Sequence, residues 1–132
     1  QYADESNLIA DRVDIPRKLE VLAEHCERLG RDRAELTVSW QRSACIAPTM
    51  EEAMAELADG LARRGVDFAS MSDEQQQGIL SMVHVGDPDT VGEKLAADLA
   101  LGVDGFTINQ SFNGHIPGRV ELLGQTARAV VG

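Results

Sequence analysis

The sequence has 132 residues, of which 43% are hydrophobic and 26% charged, and its formal net charge is −10. This length allows one ordinary hydrophobic core, and the composition is that of a globular protein rather than a disordered or collagen-like one. No apolar run approaches the roughly 20 residues that a membrane-spanning helix needs, so we expect no membrane partner. The acidic charge would repel a phosphate backbone and the basic residues are scattered, which argues against a nucleic-acid partner.

The first residues and the cysteines indicate a cellular compartment. Residues 1–5 carry neither the basic region nor the apolar run of a secretory signal. Cys26 falls on a predicted helix face and Cys45 in a predicted apolar strand, positions that suit buried thiols in a reducing compartment. We therefore predict a cytoplasmic protein.

A strand, a helix and a second strand are predicted at the start of the chain. The short first strand covers 6–9. Residues 16–29 repeat apolar side chains at helical spacing, and Gly30 is the expected C-terminal cap. Residues 36–47 are rich in strand formers, and residues 36–41 alternate between apolar and polar side chains, which predicts the second strand.

The second helix begins after Thr49, which forms a capping box with Glu52, and it ends near Gly65. Residues 66–82 have no steady period, and we predict a partly helical insertion there. Residues 83–86 are predicted to form a short strand or a turn.

The last part of the chain contains a helix, a strand and a helix. Asp87 and Pro88 are typical of a helix start, and this third helix is predicted to reach about residue 101. A buried strand at 106–109 and a helix at 120–131 complete the pattern. The alternation predicts a single α/β domain over residues 1–132, with parallel strands and crossover helices.

Three stretches carry a resemblance to a known family. They are residues 2–8 (YADESNL), residues 18–26 (KLEVLAEHC) leading to 30–32 (GRD), and residues 85–91 (VGDPDTV) through 102–106 (GVDGF). Together they resemble the C-terminal half of luciferase-like oxidoreductases, cover nearly the whole chain and keep the family's order. Residues 2–8 are similar to the barrel strand that follows the family's glycine-rich phosphate-binding segment.

The resemblance implies the fold and the chemistry. The fold would be about the C-terminal half of a (β/α)8 TIM-type barrel. The activity would be that of a luciferase-like oxidoreductase or monooxygenase that transfers hydride between a coenzyme and a small organic substrate. The coenzyme would be the 8-hydroxy-5-deazaflavin coenzyme (coenzyme F-420) or flavin mononucleotide (FMN).

The resemblance also implies a partner, because complete barrels have about 250 residues or more. The family's N-terminal strands have no counterpart here, and a half-barrel has unpaired strand edges and an uncovered apolar sheet face. We expect the chain to pair with a missing N-terminal half-barrel or with a copy of itself, and to be inactive alone. The alternative function is a non-catalytic half-barrel that acts as an oligomerisation or binding module.

Candidate coenzyme contacts lie where barrel strands end, because the reactive groups of a (β/α) barrel gather there. Ser6 and Asn7, at the first strand, either contact the coenzyme or satisfy backbone groups. Trp40, in the second strand, is either a core anchor or a platform for the coenzyme ring. Asn109 and Gln110 form the polar end of the last strand and are predicted to contact ligand.

His115 is the candidate catalytic residue, as an acid or a base, because it lies in a loop suited to the barrel mouth. His25 is predicted to be solvated on the outer side of a helix. His25 and Cys26 are adjacent in sequence and point to different helix faces, so they cannot bind one metal ion together. No metal site is predicted, and the sequence has no nucleophile elbow, P-loop or dinucleotide fingerprint.

Overall fold

The computed structural model of the protein describes residues 3–132, so Tyr2, in the first of the three stretches above, lies outside the described residues. Strands and helices alternate along most of the chain. They are β1 (Glu5–Leu8), α1 (Ile15–Arg28), β2 (Thr37–Ile46), α2 (Met50–Ala62), α3 (Asp73–Met82), β3 (Val83–Gly86), α4 (Pro88–Leu99), β4 (Gly105–Asn109) and α5 (Arg119–Val131).

Strand β2 pairs with each of the other three described strands. Its first residues pair in parallel with β1, from Glu5 opposite Thr37 to Leu8 opposite Trp40. Its last residues, Ser43 to Ile46, pair in parallel with β3. The strand order is β1-β2-β3, and β4 also pairs with β2. The predicted α/β class with parallel strands and intervening helices is confirmed.

The chain divides into two compact units. The first unit comprises the described residues up to Gln41 together with Ala97–Thr107, and the second comprises Arg42–Ala96 together with Ile108–Gly132. In the first unit, the core is built on Ile15 of α1, Trp40 of β2 and Val103, all nearly or fully buried. Amphipathic α1 completes that core because its apolar residues recur at helical spacing and share one face.

The second unit has its own core, formed where α2 packs against β3. Its buried members include Cys45, Leu57 and Val85. Gly60 of α2 is buried because the turn after β4 lies directly against it: a Cβ at this position would be 3.0 Å from the carbonyl oxygen of Phe112. This close approach brings the turn after β4 against α2.

The segment between α2 and α4 has more regular structure than its sequence pattern indicates. Residues 83–86, left open between strand and turn, form β3, and all four are buried. Residues 66–82 contain the short 3-10 turn Phe68–Ser70 and helix α3, whose start is capped by the reciprocal hydrogen bonds of Ser72 and Gln75. Cys26 and Cys45 are free thiols and are buried, as predicted. Among the described residues, no helix is both long and apolar enough to cross a bilayer.

Candidate ligand site at the strand ends

Ser6 and Asn7 lie on β1 in the first unit. Ser6 is half-buried opposite Val38, and Asn7 is exposed opposite Ser39. The Ser39 hydroxyl lies 3.0 Å from Asn7 Oδ1 and 3.3 Å from a carboxylate oxygen of Glu5. A hydroxyl that donates to Asn7 Oδ1 leaves the Asn7 amide group to act as a donor.

Trp40 is fully buried in the core of the first unit. Its indole Nε1 donates a hydrogen bond to the carbonyl oxygen of Ala10 at 3.1 Å. Buried tryptophans normally satisfy their N–H in this way. The burial fits the interpretation of Trp40 as a core anchor, and contact with a coenzyme ring stays a prediction.

Asn109 and Gln110 lie at the end of β4 in the second unit and differ in hydrogen-bonding capacity. Asn109 Oδ1 accepts from the backbone N–H of Ser111 at 2.8 Å, which leaves the exposed Asn109 amide group as a donor. Gln110 Nε2 donates to Asn113 Oδ1 at 3.3 Å and to the backbone oxygen of Arg119 at 3.0 Å. Gln110 therefore offers its Oε1 as an acceptor. Asn109 can therefore donate a hydrogen bond to a ligand, and the neighbouring Gln110 can accept one.

The turn after β4 is tightly built. The backbone N–H of Gly114 donates to the carbonyl oxygen of Gln110 at 2.8 Å, and that of Ile116 donates to Asn113 at 3.0 Å. A Cβ on Gly114 would lie only 2.6 Å from the Gln110 carbonyl oxygen. The turn can therefore close in this form only with glycine at position 114.

Asn113 ties this turn to the rest of the second unit. Its side chain is fully buried and its Nδ2 donates to the carbonyl oxygen of Ile46, the last residue of β2, at 2.7 Å. The same amide group donates to Glu56 Oε2 at 2.6 Å. Both bonds satisfy a buried polar group that would otherwise be costly, so they fix the turn at the end of β2.

Glu56 of α2 and Arg119 of α5 form an ion pair beside Asn113. Arg119 Nη2 lies 2.6 Å from Glu56 Oε1, and Arg119 Nε lies 3.1 Å from both carboxylate oxygens. The Arg119 guanidinium also lies 3.5 Å from Glu52. The hydrogen bond from Arg119 is the main cause that lowers the pKa of Glu56, and the same bond raises the pKa of Arg119. Both groups are therefore held in their charged forms.

Cys45 lies in the same unit and is fully buried. Burial, reinforced by the negative charge of Glu56, raises the pKa of the Cys45 thiol to about 12. The thiol is therefore protonated at neutral pH, and the protonated form is neither a nucleophile nor a metal ligand. Among residues 3–132 no three histidine, cysteine or acidic side chains come together as metal ligands.

His115 is exposed in the turn and contacts the C-terminal end of α2. Its Nε2 lies 2.8 Å from Arg63 Nη1, while Arg63 Nη2 donates to the carbonyl oxygen of Phe112 at 2.8 Å. The next residue, Arg64, places its guanidinium carbon 4.4 Å from the centroid of the Phe112 ring and donates to the carbonyl oxygen of Ser111 at 3.3 Å. Two arginines at the end of α2 thus hold the turn that carries His115.

The six predicted site residues fall into two groups. Ser6, Asn7 and Trp40 lie on neighbouring strands of the first unit, and Asn109, Gln110 and His115 lie at one strand end and turn of the second.

Sequence reasoning missed Asn113, Glu56 and Arg119. One signal for Glu56 was available, because it is three residues from Ala53 and four from Gly60, which are both buried on α2, and a charged residue on such a face requires a partner.

No protein-family model matches the sequence, and a search of curated proteins gives no match. Solved structures match in fold. A long-chain alkane monooxygenase has a TM-score of 0.71 and 17% identity over 98% of this chain and 37% of its own. The coenzyme F-420-dependent tetrahydromethanopterin reductase from Methanopyrus kandleri has a TM-score of 0.68 and 20% identity, over 98% of this chain and 46% of its own.

A third match is the oxygenating constituent of 3,6-diketocamphane monooxygenase from Pseudomonas putida, solved in complex with FMN. Its TM-score is 0.67 with 17% identity, over 97% of this chain and 42% of its own. These proteins are luciferase-like monooxygenase family members, so the resemblance stated from the sequence is confirmed at the level of the fold. The chain spans less than half the length of each of the three structures and has the fold of part of a TIM-type barrel.

Proposed function

We propose that this chain is a segment of a luciferase-like oxidoreductase or monooxygenase that transfers hydride between a deazaflavin or flavin coenzyme and a small organic substrate. The observation that carries the proposal is the match in fold over nearly the whole chain to enzymes of this kind. One of them is named for its dependence on coenzyme F-420, and another was solved with FMN. The coenzyme would be one of these two.

The polar groups at the end of β4 fit the ring of such a coenzyme. Flavins and deazaflavins carry a pyrimidine-type edge on which carbonyl oxygens alternate with an N–H group. Asn109 offers amide donors for a carbonyl oxygen, and Gln110 offers an acceptor for an N–H. The bound coenzyme would supply the redox chemistry, and these side chains would bind and orient its ring. Ser6, Asn7 and Trp40 stay predicted coenzyme contacts of the first unit.

None of the five predicted coenzyme contacts has a positive charge, so none of them can form an ion pair with a coenzyme phosphate. They are Ser6, Asn7, Trp40, Asn109 and Gln110. We propose that phosphate contacts come from a complementary half-barrel or from a second copy of the chain. Support comes from β1, which stands at one end of the strand order and pairs in the described part of the chain with β2. An unpaired strand edge of this kind is available to another strand.

We also propose that the protein works in the cytoplasm. The two free thiols, Cys26 and Cys45, support this because reduced cysteines persist in a reducing compartment.

The test is a nuclear magnetic resonance titration of the ¹⁵N-labelled chain with FMN and with coenzyme F-420, which detects weak binding at individual side-chain amides. We expect the Asn109 amide signals to move. The variant Asn109→Asp keeps the oxygen that accepts from Ser111 but loses the amide donor. We expect coenzyme binding to weaken at least about tenfold, because one hydrogen bond is lost and a negative charge is added beside the ring. Gln125→Glu, an exposed change on α5 that adds the same charge, is the matched control.

A folded chain whose amide signals are unchanged by both coenzymes would contradict the proposed ring contacts of Asn109 and Gln110. Light scattering on the same sample then distinguishes the alternative. A dimer or larger species without coenzyme binding would favour the non-catalytic oligomerisation module.

A further inference from the structure

We propose that Arg63 is a positioning residue that fixes His115 in the tautomer with its proton on Nδ1, so that His115 is a hydrogen-bond donor rather than a base. The inference rests on the proposed function and deepens it at His115, the candidate acid or base selected from the sequence. It adds Arg63 to the candidate ligand site and assigns a direction to the hydrogen bond that His115 makes.

The chemistry of the two side chains decides the direction of their contact. A guanidinium group has five N–H donors and no acceptor. Arg63 Nη1 lies 2.8 Å from His115 Nε2, so Nε2 must accept with its lone pair. In a neutral imidazole the other nitrogen then carries the proton. Nδ1–H is therefore the group that His115 can offer to a ligand.

Arg63 is held in place by more than His115. Its second terminal nitrogen donates to the carbonyl oxygen of Phe112 at 2.8 Å, and the guanidinium lies 3.8 Å from Asp59 of α2. The Phe112 backbone lies directly against Gly60. A planar guanidinium that bridges a backbone carbonyl and an imidazole loses less freedom per hydrogen bond than a flexible cation would.

The consequence is a restriction on what His115 can bind. With Nε2 occupied by Arg63, the imidazole has no free lone pair and cannot accept a proton without losing that contact. It can donate through Nδ1 to an acceptor atom, such as a carbonyl or hydroxyl oxygen. A substrate group that contacts His115 must therefore present a lone pair.

The tautomer can be measured directly on the intact chain by two-bond ¹⁵N–¹H correlation spectra of the histidine rings at neutral pH. The variant His115→Gln identifies the His115 signals among those of the three histidines. We expect a protonated Nδ1 and an unprotonated Nε2 in the wild-type chain. Arg63→Ala should shift His115 toward the Nε2–H form that free imidazole side chains prefer, and Arg63→Lys, which keeps a donor, should retain the Nδ1–H form.

Arg64→Ala is the matched control, because Arg64 holds the same turn through Phe112 and Ser111 but does not contact His115. This variant should leave the tautomer unchanged. An Nε2–H form in the wild-type chain, or equal shifts in the Arg63→Ala and Arg64→Ala variants, would overturn the inference. The spectra need no coenzyme, so this failure is distinguishable from an absence of coenzyme binding in the titration above.

Discussion

Replacement of Glu56 by glutamine should destabilise the second unit, because Glu56 joins three elements of it. Its carboxylate accepts from Arg119 of α5 and from Asn113 of the turn after β4. Glutamine has nearly the same shape but places an amide group where one carboxylate oxygen accepted hydrogen bonds. It also leaves the Arg119 charge with Glu52 as its remaining acidic contact, at 3.5 Å.

The size of the effect follows from burial and charge. The Glu56 and Arg119 side chains are only 15% and 16% exposed. Hydrogen bonds to charged groups contribute about 1.5–3 kcal/mol, and breaking a fully buried ion pair costs about 3–5 kcal/mol. For this mostly buried pair we expect Glu56→Gln to lower the free energy of unfolding by about 2–3 kcal/mol. At roughly 4 °C per kcal/mol for a chain of this size, the midpoint of thermal unfolding should fall by about 8–12 °C.

The assay is urea denaturation at pH 7, followed by far-ultraviolet circular dichroism. Glu51→Gln on the same helix is the matched control: Glu51 is exposed, and its replacement should change the free energy of unfolding by less than about 0.5 kcal/mol. A double-mutant cycle of Glu56→Gln with Arg119→Gln should give a coupling energy of about 1–2 kcal/mol. Equal losses for the two glutamate variants, or a coupling energy near zero, would refute the reasoning.

Three further outcomes are expected. Because Arg119 lowers the pKa of Glu56, the stability that this carboxylate contributes is complete above the ordinary glutamate pKa and is lost as the pH falls through the lowered value. The loss of unfolding free energy caused by Glu56→Gln, measured in urea, should therefore shrink in acid. A loss that does not change with pH would contradict the lowered pKa of Glu56. Burial raises the pKa of Cys45 to about 12, so this thiol should react with iodoacetamide at pH 8 only in denaturant. Mass spectrometry of the peptides would detect the label. Labelling of Cys45 in the native state would contradict the raised pKa. Gly114→Ala should lower the free energy of unfolding by about 2 kcal/mol, measured by thermal unfolding, because its Cβ would meet the Gln110 carbonyl oxygen. Gly124→Ala, in open space on α5, is the control and should be neutral or stabilising by up to about 1 kcal/mol. Similar effects at both positions would refute the close contact at Gly114.

Local signals predicted most of the elements because they act over a few residues. Gly30 and Thr49 mark helix ends that the structure places within one or two residues of the expected positions. Of the capping box predicted for Thr49 and Glu52, the structure shows one half: the Thr49 hydroxyl accepts from the backbone N–H of Glu52 at 3.2 Å. Strand β3 was left undecided for a physical reason. Its four residues are all buried, so the alternation that identifies a half-exposed strand is absent.

The candidate site was predicted only in part because its connections are long-range. Polar residues at strand ends, such as Asn109, can be selected from a barrel rule and the sequence. The contact of Asn113 with Glu56 joins residues 57 positions apart, and Arg63 lies 52 positions from His115. No local pattern encodes such pairs, so the hydrogen-bond polarity of Gln110 and the tautomer of His115 required the folded chain.

Trp40 provides the protein with a built-in optical reporter of one unit. It is the only tryptophan in the sequence, and it lies in the core of the first unit with its indole N–H bonded to Ala10. Its emission should be shifted to short wavelength in the native state and should move to longer wavelength when that core opens. Circular dichroism averages over all the helices, so a difference between the optical and dichroic transitions would mean that one unit can melt while the other stays folded.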